Sequence, residues 1–298
     1  MSGETPPVAL TIAGSDSGGA AGIQADLRAF AALGVLGTTA VTAVTAQNTL
    51  GVQQVHVVPP AHVDAQIASV VSDLRPSAAK TGMLATAAII DVVAARAGRG
   101  ELGNLVVDPV MVASTGARLL DHDAEKAYVD RLFPHALVIT PNLREASVLV
   151  GRELRTVDDM ISAARQLART GARFVVIKGG HLPGPSAVDV IHDGADTRVL
   201  STPRVETANV HGTGCTLSAA VAAHLASGRS PVDAVERAKV LITSALQGAA
   251  GWRIGSGQGP VDTLGWGAVA SGAAALEGQT ADSRTDDVRS PASFDRPG

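Results

Sequence analysis

The chain has 298 residues, a formal net charge of −4 and 46% apolar but only 2% aromatic residues. With no Lys/Arg run to track a phosphate backbone, a nucleic-acid binder is excluded as a first reading; no apolar stretch approaches the roughly 20 residues of a membrane helix. The single cysteine, Cys215, rules out an intramolecular disulfide framework and suits a reducing compartment.

Short Val/Ile/Leu/Ala runs alternate with longer amphipathic segments. Val8–Ala13 is expected to be a strand, followed by a helix over Gly22–Leu33 stopped by Gly34. Strands are expected at Thr38–Thr45 and Val52–Val58, then a helix from about Ala61 to Asp73. Strand Ala78–Thr81, helix Ala85–Ala97 and strand Leu105–Val107 follow. A helix over Ala124–Leu132 leads to strand Ala136–Thr140, and helices Asn142–Val150 and Val157–Thr170 precede strand Arg173–Lys178. Val188–His192 and Arg198–Ser201, joined through Asp193-Gly194, form an expected antiparallel hairpin. Helices Gly214–Ala226 and Val232–Gln247 close the pattern. The N-terminal Met1–Pro7 lacks the order of a signal peptide. From about Ala268 large apolar groups thin out, so residues 268–298 are expected to be a disordered tail behind a domain of residues 1–267. The alternation predicts one α/β domain around a largely parallel sheet.

Ligands of open α/β sheets bind beyond the carboxyl ends of the strands. Seven unusual segments fall there: Gly14–Gly22, Gln47–Thr49, Lys80–Leu84, Asp108–Gly116, Thr140–Glu145, Lys178–His181 and His211–Thr216. They predict one shared cleft. The last, His-Gly-Thr-Gly-Cys-Thr before an apolar helix, offers free backbone N–H groups and a helix dipole to an anion, and a cysteine there is expected to have a lowered pKa. It is not a Walker A loop. A Gly-rich helix start with an inert buried thiol is the competing structural reading.

Asp108 after a Leu/Val strand could hold Mg²⁺ through water or simply cap a turn. Asn142 and Glu145 could flank a metal or form a reciprocal helix cap. Lys178 is a phosphate partner or a solvated strand-end charge. The histidines show no metal-ligand spacing, and no Ser/His/Asp triad or nucleophile elbow can be read.

Leu10–Asp16, Gly22–Asp26, Thr45–Thr49, Gly82–Leu84, Thr140–Ala146, Lys178–His181 and the His211–Thr216 loop, in that order, resemble the hydroxymethylpyrimidine/phosphomethylpyrimidine kinases of thiamine biosynthesis, in the ribokinase-like superfamily. The resemblance runs from about Val8 to Leu264. It implies a single three-layer α/β/α domain with a central, mostly parallel sheet, a cytoplasmic homodimer, and ATP with Mg²⁺. It also implies two reactions: phosphorylation of 4-amino-5-hydroxymethyl-2-methylpyrimidine, then of its monophosphate. By position, Gln47 would bond the pyrimidine edge, and Gly14, Ala21, Met83 and Val110 would line the ring pocket. Asp108 and Glu145 would serve Mg²⁺, with Asn142 nearby, and Lys178 would meet the ATP phosphates. Gly212, Thr213, Gly214 and Cys215 would form the anion hole, Cys215 standing where the superfamily usually has an aspartate base. The chain departs from the family at Ala20, in place of glycine, and at Asp262-Thr263, in place of Asn-His.

On this reading a Cys215 thiolate takes the proton of the alcohol in the first step, whereas the ionised phosphate of the second step needs no base. Two alternatives stay open. Pyridoxal kinases share the scaffold, and a non-catalytic pyrimidine-binding module would need only the ring pocket, not Asp108, Glu145, Lys178 and Cys215 together.

Overall fold

Apolar side chains alternate between the two faces of the strands, and that alternation decides which helices each face receives. The structure, a computed structural model, describes residues 5–112, 119–120 and 122–267. The sequence's expected tail, 268–298, therefore lies outside the described residues, as do residues 113–116 of the Asp108–Gly116 segment.

In chain order the elements are β1 (Val8–Asp16), α1 (Gly22–Ala32), β2 (Leu36–Asn48), β3 (Gly51–Val57), α2 (Pro60–Asp73), β4 (Ala78–Thr81), α3 (Ala87–Gly98), β5 (Leu105–Val107), α4 (His122–Ala127), β6 (Val138–Ile139), α5 (Leu143–Val150), α6 (Val157–Ala168), β7 (Phe174–Gly179), β8 (Ser186–His192), β9 (Thr197–Pro203), α7 (Thr213–Ala226) and α8 (Pro231–Ala249). Met1–Leu264 form one compact unit. Among the described residues one sheet runs β3-β2-β1-β4-β5-β6-β7-β8-β9. From β2 to β7 every neighbouring pair is parallel, and β3, β8 and β9 pair antiparallel at the edges.

Leu10, Ile12, Leu105, Val107, Val175 and Ile177 bury against Val63, Ile67, Ile89, Ile90, Val93, Ala146 and Met160 of α2, α3, α5 and α6. Ala9, Ala78, Val106, Val138 and Val176 bury against α1, α7 and α8 on the other face. This is the expected three-layer α/β/α arrangement. Helix α7 is buried at nearly every position from Thr216 to Leu225; its many alanines let it lie close to the sheet while α8 covers its outer side. Inside that layer a wholly buried ion pair joins Lys80 of β4 to Asp26 of α1 at 2.9 Å, with the Thr11 hydroxyl donating to Asp26 at 2.6 Å. No helix among the described residues is long and apolar enough to cross a membrane.

Two expected elements differ. The helix read as Ala124–Leu132 is α4 followed by a π-helical turn, Tyr128–Leu132, and a 3₁₀ turn, Phe133–His135. A wide turn puts residues i, i+4 and i+5 on one face. Tyr128, Leu132 and Phe133 are accordingly all fully buried, and Pro134 prevents further helix. The strand read as Ala136–Thr140 keeps only Val138–Ile139 as a formal ladder, although Leu137 and Thr140 donate to Leu105 and Val107 at 2.9 Å and extend the pairing. The hairpin is as expected: the Asp193 carboxylate accepts from the Ala195 and Asp196 N–H groups and closes the turn between β8 and β9.

Candidate active site

The chain leaves β1 towards β2 on one side and later returns to place β4 on the other, so strand order reverses between β1 and β4. A cavity of about 370 Å³ opens beyond the carboxyl ends of these strands, and residues from all seven segments singled out in the sequence line it. Gln47, Cys215 and Lys178 share this one space.

Its floor is the start of α7. Gly212 caps the helix with φ +83°, and a Cβ there would lie 1.8 Å from the Ala20 carbonyl oxygen. Only glycine satisfies both conditions. The first turn of a helix has N–H groups without intrahelical partners. Thr213 turns its own back to the Val210 carbonyl at 3.2 Å, so it serves to fix the turn. The N–H groups of Gly212, Gly214 and Cys215 remain suited to an anion. Gly212→Ala is expected to cost about 2–4 kcal/mol and to abolish nucleotide binding, as read by denaturant melts and calorimetry. Gly228→Ala is the control. Gly228 also has positive φ (+79°), but open space surrounds its Cβ position, so it should cost only about 1 kcal/mol.

The glycine-rich loop after β1 is not a slack turn. The Asp16 carboxylate accepts from the N–H groups of Gly18 at 2.8 Å, Ala20 at 3.0 Å and Ala21 at 2.8 Å, which folds the loop around it. Burial pushes the Asp16 carboxyl up, but the hydrogen bonds from His211, Ala21 and Gly18 prevail and hold its pKa below the usual value. Gly22 has φ +58°, and a Cβ there would sit 2.3 Å from the Gly14 carbonyl oxygen. Ala20 has no such constraint: it is absent from the positive-φ residues, so its methyl group imposes no strain where the family carries glycine. Asp262, the other departure, is buried and packs on Gly248 of α8.

At the far side Lys178 Nζ lies 2.7 Å from Asp108 Oδ1, and a Cβ on Gly214 would come 3.2 Å from the same ammonium. Burial disfavours the charged lysine, yet Asp108 and Glu145 outweigh it and raise its pKa. The Thr140 and Ser218 hydroxyls also donate to Asp108, at 3.2 and 3.1 Å. Asn142 and Glu145 make the reciprocal cap of α5: Asn142 Oδ1 accepts from the Arg144 and Glu145 N–H groups, and Glu145 Oε2 accepts from Asn142 N–H at 2.8 Å. The capping role is thus realised, and the same carboxylate also lines the cavity.

Burial, with the Asp108 charge, pushes Glu145 up to about 7 against the pull of Lys178 and the Asn142 and Met111 N–H groups. A folded-state pKa above the unfolded value near 4.5 means that the folded form holds the proton longer. Stability from this group is therefore full below the unfolded value and lost as pH rises to about 7. Glu145→Gln keeps the cap but cannot ionise. Melts of the ligand-free protein should show the variant more stable than wild type at pH 8, by roughly 3 kcal/mol, with the gap closing towards pH 5. A gap independent of pH would contradict the assignment.

The expectation of a lowered Cys215 pKa is not met. Burial pushes the thiol up to about 11, and the Asp26 and Asp108 carboxylates add to it, outweighing the Lys80 ammonium and a hydrogen bond from Gly22 N–H. The local helix-start reading omitted that buried surrounding.

The ring end is apolar. Ala43, Met83 and Ala85 form a small cluster of their own, with Val110 and Leu119 packed on it. Gly14 lies against Met83, and Ala21 lines the same wall. Gln47 stands beside it, one end of its carboxamide 3.0 Å from His211 Nε2. Every candidate residue from the sequence thus borders the cavity.

Among the further lining residues with no assigned role are Asp16, His211, Arg144 and Arg204. The first three sit inside the motifs already quoted and could have been marked from them. Arg204 had no sequence signal; it lies at the end of β9 and donates to the carbonyls of Gly180, Gly184 and Ser186, tying down the loop after β7. An anion seat with a lysine, next to a thiol and facing a carboxamide on an apolar wall, is equipped to transfer a phosphoryl group to a flat polar ring.

The chain matches the family described as phosphomethylpyrimidine kinase over residues 16–262. It is 49% identical over 256 residues to the hydroxymethylpyrimidine/phosphomethylpyrimidine kinase of Rhizobium meliloti, covering 85% of this chain and 96% of that one. It is 48% identical over 259 residues to the chloroplastic thiamine biosynthetic bifunctional enzyme of Arabidopsis thaliana, covering 86% of this chain. The chain spans about half the length of that bifunctional relative, 50%. Among solved structures, the pyridoxal kinase of Bacillus subtilis, in an ADP complex, superposes with a TM-score of 0.80 at 41% identity, over 88% of this chain and 99% of that one.

Proposed function

The chain belongs to the phosphomethylpyrimidine kinase family, and we propose that it transfers the terminal phosphoryl group of ATP first to 4-amino-5-hydroxymethyl-2-methylpyrimidine and then to the resulting monophosphate. The single observation that carries this reading is the joining of the Gln47–Met83 wall to the α7 start and Lys178 in one cavity.

The ring lies on Met83 and Val110, between Gly14 and Ala21, with its polar edge on Gln47. Its hydroxymethyl group points to Cys215. The terminal phosphate of ATP sits on the N–H groups at the start of α7, and Lys178 balances the charge that grows there during transfer. Thr213 and Asn142 hold the two turns that frame this seat. Two carboxylates beside one lysine, with Glu145 raised to about 7, make a place where a divalent cation relieves repulsion. Among the described residues no group of three His, Cys, Asp or Glu could hold a metal alone. Asp108 and Glu145 are the residues that would hold Mg²⁺ here once a nucleotide is bound, and the ion would neutralise phosphate charge. The domain is taken to run through residue 267. The enzyme is taken to be a cytoplasmic homodimer; Val55 and Val57, exposed on one face of edge strand β3, give a second copy an apolar surface to cover.

ADP formation from ATP, measured with the pyrimidine alcohol and then with its monophosphate, tests the activity. Turnover with each substrate and none without is the expected result, and ATP hydrolysis indifferent to both would overturn it. Pyridoxal is the competing acceptor, since a pyridoxal kinase shares the scaffold. Turnover of both alcohols side by side should favour the pyrimidine, whose paired donor and acceptor match a carboxamide.

A further inference from the structure

Two neighbours approach the Gln47 carboxamide, and both constrain which way it faces. His211 Nε2 lies 3.4 Å from Asp16 Oδ2 and 3.0 Å from Gln47 Nε2 as the amide is set, an order that its neighbours oppose. Asp16 is an acceptor only, already bound by three backbone N–H groups, and both it and His211 are about 95% buried or more. The ring nitrogen facing this anion must offer a hydrogen, because a lone pair there would oppose the carboxylate. The end of Gln47 that meets the same nitrogen must then be its oxygen. Thr45 makes the same demand from the other side. Its one hydroxyl proton can go to the Ser15 carbonyl at 3.1 Å or to Gln47 Oε1 at 3.5 Å; the shorter bond takes it, and the lone pair left facing Gln47 suits the amide nitrogen after a half-turn. Oxygen and nitrogen of a carboxamide exchange by a half-turn about Cγ–Cδ, so the neighbours decide the order. The Gln47 backbone cannot shift to compensate, since Ser17 Oγ donates to its carbonyl at 2.7 Å and accepts from its N–H at 2.8 Å.

We infer that the Asp16–His211 and Ser15–Thr45 pairs lock Gln47 with Oε1 towards His211 and Nε2 towards Thr45, and that this fixed order is what selects a 4-amino ring over its 4-oxo counterpart. His211 and Thr45 are thus positioning residues that act through Gln47. A 4-aminopyrimidine edge carries a donor beside an acceptor, and one orientation of the ring satisfies both Gln47 atoms. The 4-oxo ring carries an acceptor beside an N–H donor, so in the same pose oxygen meets oxygen and N–H meets N–H. Turning the ring over restores the pairing but swings the hydroxymethyl group away from the start of α7. The inference rests on the reading of Gln47 as the residue that meets the ring.

The test compares kcat/KM for 5-hydroxymethyl-2-methylpyrimidines bearing a 4-amino or a 4-oxo group. Wild type should prefer the amino ring by about 10³-fold. In His211→Leu the amide is free to turn, and the preference should fall to about tenfold, mostly through KM, with the affinity for a non-hydrolysable ATP analogue unchanged. His211→Gln, which keeps a donor, should retain most of the preference. Thr45→Val removes the second constraint without touching His211 and should lower the preference by roughly tenfold, so the inference remains testable if His211→Leu does not fold. Gln47→Ala separates the two layers of the argument. If it leaves the preference intact, Gln47 does not read the ring. If it abolishes the preference while His211→Leu and Thr45→Val keep it, Gln47 reads the ring but the lock is wrong.

Discussion

Replacing Cys215 by alanine is expected to slow phosphorylation of the alcohol by about 10²–10⁴-fold and that of the monophosphate by less than about tenfold. An alcohol oxygen must lose its proton to accept a phosphoryl group, whereas a phosphate monoester is ionised at neutral pH. In the proposed pose the thiol, which lines the cavity, is the group that the hydroxymethyl arm would reach. Its pKa, pushed up to about 11 by burial and the neighbouring carboxylates, makes the thiolate scarce at pH 7 and strongly basic when present. The alcohol step should therefore accelerate as pH rises from 7 to 9, and the monophosphate step should not. Single-turnover assays of each step across this range check both statements. Equal losses in the two steps would assign Cys215 to the shape of the anion seat.

Lys178→Met is expected to lower both steps by about 10²–10³-fold, because the charge it balances develops on the transferred group whichever acceptor is used. It should also cost about 3–5 kcal/mol of stability. Asp108, whose side chain is 2% exposed, would lose an ammonium 2.7 Å away and keep only the Thr140 and Ser218 hydroxyls. The two losses can be separated. Lys178→Met/Asp108→Asn removes the orphaned charge and should regain most of the stability in a thermal melt without regaining turnover. Recovery of activity along with stability would show that Lys178 works by holding the fold.

The layers were legible in the sequence because each strand is a short apolar run and each helix repeats its apolar positions at helical spacing. Ala78–Thr81 and Leu105–Val107 are found with the expected bounds. The site was legible as a list of strand ends, since polar and glycine residues there have no part in the core. What stayed hidden depends on contacts between distant segments. The Cys215 thiol is set first by its burial and then by Lys80 from β4, Asp26 from α1 and Asp108 just after β5, so a reading confined to the helix start gives the wrong direction. Glu145 was open between a cap and a cation site; the cap is formed, and its burial beside Asp108 is what keeps the second role available. His211 was visible only as part of a motif, and its partners lie 164 residues away at Gln47 and further still at Asp16. The π-helical turn at Tyr128 follows from which side chains reach the core, a choice that local propensity does not make.

The position of the nucleotide's terminal phosphate decides whether the proposed transfer is possible. A crystal structure with a non-hydrolysable ATP analogue and the pyrimidine alcohol tests this most directly. The expected result is a terminal phosphate within hydrogen-bonding distance of the Gly214 and Cys215 N–H groups and of Lys178, with the alcohol between it and Gln47. A triphosphate bound elsewhere, or a ring that does not touch Gln47, would contradict the proposed transfer.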